Sequence, residues 1–155
     1  MRRQQQNVAA NEEQRALRDR ANLALGFAAL QRQEPEDARR WLERIRLQGP
    51  SSNKALLGFG WAAMALDKPR QALVPWQELA GRDEADAAVL EARIAIPHAL
   101  AELGADAQAL AGYEQALGGF DAEAGRLDAS VAALRSPAWL DELLARNPGS
   151  GLDWS

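Results

Sequence analysis

The stretch ALGFAALQRQEPEDARRWLERIRLQGP, residues 24–50, is followed in register by GFGWAAMALDKPRQALVPWQELAGRDE, residues 58–84. Gly26 and Gly60 stand thirty-four residues apart, and each is followed twelve residues later by an alanine, Ala38 or Ala72. Pro35 and Pro69 keep the same step of thirty-four. A repeat of that length accommodates one helix-turn-helix unit. Small residues at matched places on two helices let the backbones approach closely, and larger ones such as Leu42 and Trp76 fill the gaps beside them. Such a unit cannot bury its apolar faces alone, so it stacks on its neighbours and leaves a long groove.

The composition agrees with packed helices. Of the 155 residues 47% are hydrophobic, mainly Ala and Leu, with few of the β-branched residues that favour sheets. A length of 155 residues corresponds to one domain or a short run of repeats. A net charge of −4 names no partner class. The absence of cysteine excludes disulfides and thiolate metal sites. The start, Met1-Arg2-Arg3-Gln4-Gln5-Gln6, has no apolar stretch behind it and is no signal peptide as it stands. The longest mainly apolar stretch, residues 23–30, is too short to cross a bilayer, so no membrane insertion by this segment is expected.

Outward from the two stretches, residues 1–10 read as a tail, and apolar residues at three- and four-residue steps predict a helix from Asn11 to about Gln33. A second helix starts at Pro35 and stops at Gly49-Pro50. Ser51-Ser52-Asn53 offer N-caps for a helix over residues 54–66, and Asp67-Lys68-Pro69 turn the chain into another over 70–81, with Pro75 placed early in it. The acidic residues 83–86 cap a third pair. Its first helix covers residues 87–103 and is interrupted at Pro97; its second begins near Ala107 and is weakened at Gly118-Gly119. Ser136-Pro137 start a last amphipathic helix over 138–146, with Trp139, Leu140, Leu143 and Leu144 on one side.

Leu25-Gly26 followed by Ala38, Leu42, Ile45 and Pro50, and Phe59-Gly60 followed by Ala72, Trp76 and Leu79, resemble the signature of the tetratricopeptide repeat (TPR) family. Ala109, Tyr113 and Ala116 fit its second-helix pattern in a third unit. There Pro97 takes the place of a small residue and comes thirty-seven residues after Gly60, with three extra residues in the 83–86 loop. The resemblance implies an all-α, right-handed helical-hairpin solenoid of three TPR-like units, at about residues 19–52, 53–86 and 87–121. Residues 1–18 form a tail and N-terminal helix extension, and residues 122–155 a helix extension, C-terminal helix and tail. The last helix is expected to cap the third unit, with docking into the groove as the alternative. Similar arrays are common in longer bacterial proteins. An internal segment of such a protein is expected, periplasmic if a signal peptide has been removed and otherwise cytoplasmic.

The family generally binds partners on the concave surface lined by the first helix of each unit. On that surface the resemblance puts Leu23, Phe27 and Leu30 from the first unit. The second contributes Leu57, Trp61 and Met64, and the third Ile94, His98 and Ala101, with Lys54 and Glu91 flanking the strip. Exposed apolar patches mark interfaces, and Trp is frequent at binding hot spots; the same residues at helical spacing could equally be core. The strip lacks the Asn and Lys/Arg set with which some members hold a C-terminal carboxylate.

Chemistry finds little support. His98 is the sole histidine, no phosphate-cradling loop is present, and Gly149-Ser150-Gly151 lacks the strand and helix a nucleophile elbow needs. Arg39, Arg40, Arg44 and Arg46 are interleaved with Glu36, Asp37 and Glu43, which suits a solvated helix face better than a nucleic-acid footprint. The expected function is a non-catalytic scaffold or adaptor, without cofactor or metal, that binds a protein or peptide partner through an apolar groove, and no nucleic acid. Self-association through an open N-terminal edge at Ala21 and Leu25 remains an alternative. A second is an accessory or regulatory subunit of a larger enzyme or envelope complex.

Overall fold

The computed structural model describes residues 2–83 and 85–135, with side chains from Asn11 onward. Six helices occupy them: α1 Arg2–Gln31, α2 Pro35–Leu42, α3 Ser52–Ala65, α4 Pro69–Ala80, α5 Ala87–Glu102 and α6 Asp106–Arg135. No strand occurs among the described residues. The expected helix over 138–146, and any cap it would form, lie outside them.

The turn inside each pair repeats with the sequence. Gln33, Asp67 and Gly104 all take the left-handed conformation, at φ of 61°, 58° and 74°. After each, one N–H reaches back to the last turn of the first helix: Glu34 to Ala29 O, Lys68 to Ala63 O and Ala105 to Leu100 O, all at 2.9 Å. This doubly bonded C-terminal turn satisfies carbonyls that would otherwise be orphaned, and glycine suits it best. Only the third pair uses glycine; the other two carry the strain of a side chain at positive φ.

Close packing follows the small-residue grid. A Cβ added at Gly26 would lie 2.7 Å from the Leu42 side chain and 3.5 Å from Ala38 O. One added at Gly60 would overlap the Trp76 indole. That indole is fully buried, and its Nε1–H donates to Leu57 O at 3.1 Å. In the third pair the roles are exchanged. Pro97 sits on α5, and a Cβ on Gly112 of α6 would meet it at 3.0 Å. The small residue has moved to the second helix, and the approach survives.

Several boundaries depart from the sequence reading. α1 begins at Arg2, so the expected tail over residues 2–10 is helical. α2 stops at Leu42 rather than at Gly49. The chain then runs through turns, from which Ile45 still packs against Leu42 and Ala55. Ser51 is the N-cap of α3 but makes no side-chain cap bond; Ser52 Oγ donates to Leu47 O instead, at 2.5 Å. Asp86 does cap α5, accepting from Ala88 N at 2.8 Å. Pro75 is the seventh residue of α4, not an early one, and Pro97 lies inside an unbroken α5. α6 passes through Gly118-Gly119 without a break. At Pro97, which is buried against Gly112, tertiary packing outweighs the local penalty of roughly 3 kcal/mol for Pro in a helix interior.

Arginines in the turns after α2 and α4 tie each unit to its first helix. Arg46 Nε donates to Asp19 Oδ2 and its Nη1 to Glu12 Oε1, both at 2.6 Å. The bond to Asp19, then that to Glu12, raises the Arg46 pKa and keeps it cationic. Arg82 Nη1 donates to Ser52 Oγ at 2.7 Å and to Asn53 Oδ1 at 2.8 Å, and Asn53 donates to Asp86 Oδ2 at 2.7 Å. Asp19 and Asn53 are one repeat step of thirty-four apart.

The chain divides into two compact units between Ala116 and Leu117. In the first, α1 contacts α3 and α3 contacts α5, while α2 and α4 do not touch each other. The first helices of the pairs thus lie together and the second helices spread apart, which turns the concave side toward α1, α3 and α5. In the second unit, the helix from 117 to 135 leaves Leu117, Leu127, Val131 and Leu134 exposed. Glu123 pairs with Arg126 there.

Candidate functional site

The concave side holds an open groove of about 500 Å³. α1 contributes Arg20, Leu23, Ala24 and Phe27, at the three- and four-residue steps of one helix face. Lys54 and Leu57 come from α3, and Ala87, Ala88 and Glu91 from α5. Helix spacing makes the groove possible. A Cβ on Gly58 would press on Leu42 at 2.9 Å and on Phe27 at 3.2 Å, so α3 approaches α1 closely enough to put Phe27 and Leu57 on one wall.

The residues expected on this face have different places: Glu91 lines the groove, and Ala101 is exposed outside it. Leu23, Phe27, Lys54 and Leu57 line the groove together. Phe27 and Leu23 are half-buried and also pack on the Leu42, Ile45 and Ala55 cluster. Leu57 is buried, with only its edge in the groove. Leu30 packs against Ala29, Ala38 and Ala62, and Met64 against the central core. Neither lines the groove. Ile94 is 41% exposed and His98 is exposed, both outside it.

Trp61 joins the two classes. Its ring meets that of Trp76 edge-on, centroids 4.9 Å apart and planes at 69°, which is a favoured aromatic geometry. Its Nε1–H donates to Glu91 Oε1 at 3.0 Å, tying α3 to α5 at the groove's end. His98 lies 6.4 Å from the same ring, centroid to centroid. Trp61, expected on the partner-binding face, is a half-buried ring that is not among the residues lining the groove; it packs on Trp76 and holds Glu91 with its polar tip.

Arg20, Ala24, Ala87 and Ala88 line the groove although the sequence reading did not single them out as site residues. A signal was available for Arg20, which precedes Lys54 by one repeat step of thirty-four residues. The alanines carried none, since small residues on helices are read first as packing.

A second hollow, of about 630 Å³, lies between α2 and α4 where these helices do not touch, with Leu56 and Phe59 of α3 beneath it. Its charged rim is already engaged: Arg39 with Glu43, and Arg82 with Glu78, Ser52 and Asn53. Among the described residues, no group of three or more His, Asp or Glu is placed to hold a metal ion, and no helix is long and apolar enough to cross a membrane.

No family model and no curated protein matches this chain. Among solved structures, it is similar to the TPR domain of Arabidopsis FLU at a TM-score of 0.62 and 24% identity, over 72% of this chain and 98% of that domain. A likeness at this identity establishes architecture, and it agrees with the repeated left-handed turns and with the Gly26 and Gly60 packing. The described helices of this chain therefore have the fold of a tetratricopeptide-repeat domain.

Proposed function

We propose that this chain is a non-catalytic scaffold or adaptor that holds a segment of a partner protein in the concave groove. The observation that carries the reading is an open groove of about 500 Å³ whose floor is Leu23, Phe27 and Leu57 and whose other wall is the small residues Ala87 and Ala88. Pockets that bind have this character: concave, mainly apolar, with a few polar groups at the edge. Ala24 and Ala87 are exposed groove residues, so filling their positions should block the site with little effect on the core. Partners captured from the native cell by the wild-type chain should be lost with Ala24→Trp and Ala87→Trp. They should be retained with Val74→Trp, an exposed change beside the other hollow. Retention by the groove variants would contradict the reading.

Self-association is a second reading, supported by the outer side of α1. Leu17 is 62% and Leu25 42% exposed, with exposed Ala21 between them at four-residue steps. Stacking a second copy there would cover this strip. Light scattering that gives a concentration-independent monomer mass would contradict it.

A further inference from the structure

We infer that the segment held in the groove is acidic, setting apolar side chains against Leu23, Phe27 and Leu57 and side-chain carboxylates against Arg20 and Lys54. The inference rests on the reading of the groove as the partner site. Arg20, Lys54 and Glu91 occupy one equivalent position in the three units, at steps of thirty-four and thirty-seven residues, and all three line the groove.

The charges at these positions differ in what already engages them. Arg20 and Lys54 make no hydrogen bond or ion pair with any described residue. Elsewhere Arg32, Arg39, Arg40, Arg46 and Arg82 each have a carboxylate partner, and the cations that have none among the described residues, such as Arg15, Arg18, Lys68 and Arg70, lie outside the groove. Glu91 already accepts the Trp61 Nε1–H at 3.0 Å. A chain of net charge −4 thus presents two uncommitted cations at the rim of its apolar groove. Apolar walls concentrate the field of such charges, so a carboxylate seated there interacts more strongly than one at an open surface.

The row also has a direction. α1 and α3 present the cations, and α5 presents Glu91. A carboxylate is favoured at the α1 and α3 end and repelled at the α5 end. The acidic residues of the occupant therefore gather at the first.

The test is selection of a random twelve-residue peptide library on the full chain, followed by affinity measurement of the enriched peptides by fluorescence anisotropy. Enriched peptides should combine Asp or Glu with apolar residues. They should weaken roughly tenfold on the double variant Arg20→Glu/Lys54→Glu, the scale expected for two partly exposed charge contacts. Binding should also weaken with added salt, and amidation of the peptide C-terminus should leave it unchanged. Arg20 and Lys54 are exposed, and an unchanged melting curve will show that the variant folds.

Neutral or basic peptides that ignore the double variant yet are lost with Ala24→Trp would overturn the acidic assignment and leave the groove reading standing. Loss on amidation would transfer the cations to a chain-end carboxylate and overturn the side-chain assignment. Peptides indifferent to Ala24→Trp, or no enriched peptide at all, would overturn both.

Discussion

The second and third helix pairs solve one packing problem in opposite ways. In α3 and α4 the small residue, Gly60, is on the first helix and the large one, Trp76, on the second. Between α5 and α6 the large residue, Pro97, is on the first helix and Gly112 on the second. The repeat demands one small partner at the crossing and leaves open which helix supplies it. The two crossings also differ in tolerance. Trp76 is fully buried and hydrogen-bonded, so it has nowhere to go. Gly112 lies beside a hollow lined by Arg93, Ile96 and Gln115, which leaves room to adjust.

That contrast can be broken most forcefully at Trp76. Trp76→Ala should cost about 3–5 kcal/mol, through the cavity it leaves and the Leu57 carbonyl it abandons. Chemical denaturation measures this directly, and a loss below about 1 kcal/mol would mean the crossing collapses freely. Gly60→Ala should follow at about 3 kcal/mol, since the added methyl overlaps a ring that cannot turn away. Gly118→Ala should act with the opposite sign. Nothing lies within 4 Å of the added methyl, so the helix should gain about 1 kcal/mol from propensity. The smallest change belongs to Gly112→Ala, where a contact 3.0 Å from Pro97 opposes the same gain. A net shift under about 0.5 kcal/mol is expected. A Gly112→Ala penalty as large as that of Gly60→Ala would remove the distinction between the crossings.

Much of the architecture was legible because the repeat imposes identical constraints at a fixed step. Gly26 with Gly60, Ala38 with Ala72 and Pro35 with Pro69 require no knowledge of neighbours. The end of α2 was not legible, because Arg44, Ile45 and Arg46 continue a helical pattern while Arg46 is drawn off to Asp19 and Glu12. Pro97 resembled a break for the same reason: local propensity says nothing of a glycine fifteen residues away that makes room for it. At the groove, the resemblance pointed to Leu23, Phe27, Leu57 and Lys54, which line it. It could not separate them from Leu30 and Met64, whose burial depends on the neighbouring helices. Arg20 could have been found by extending the repeat step to charged positions as well as apolar ones.

The central claim is that the concave groove lined by α1, α3 and α5, and not the hollow between α2 and α4, receives the partner. Chemical-shift mapping of the labelled chain with a library-selected peptide addresses it most directly. Shifts should concentrate at Ala24, Phe27, Leu57 and Ala88, leaving Phe59, Gln71 and Val74 unmoved. A pattern centred on Phe59, Gln71 and Val74 with the groove silent would contradict the account.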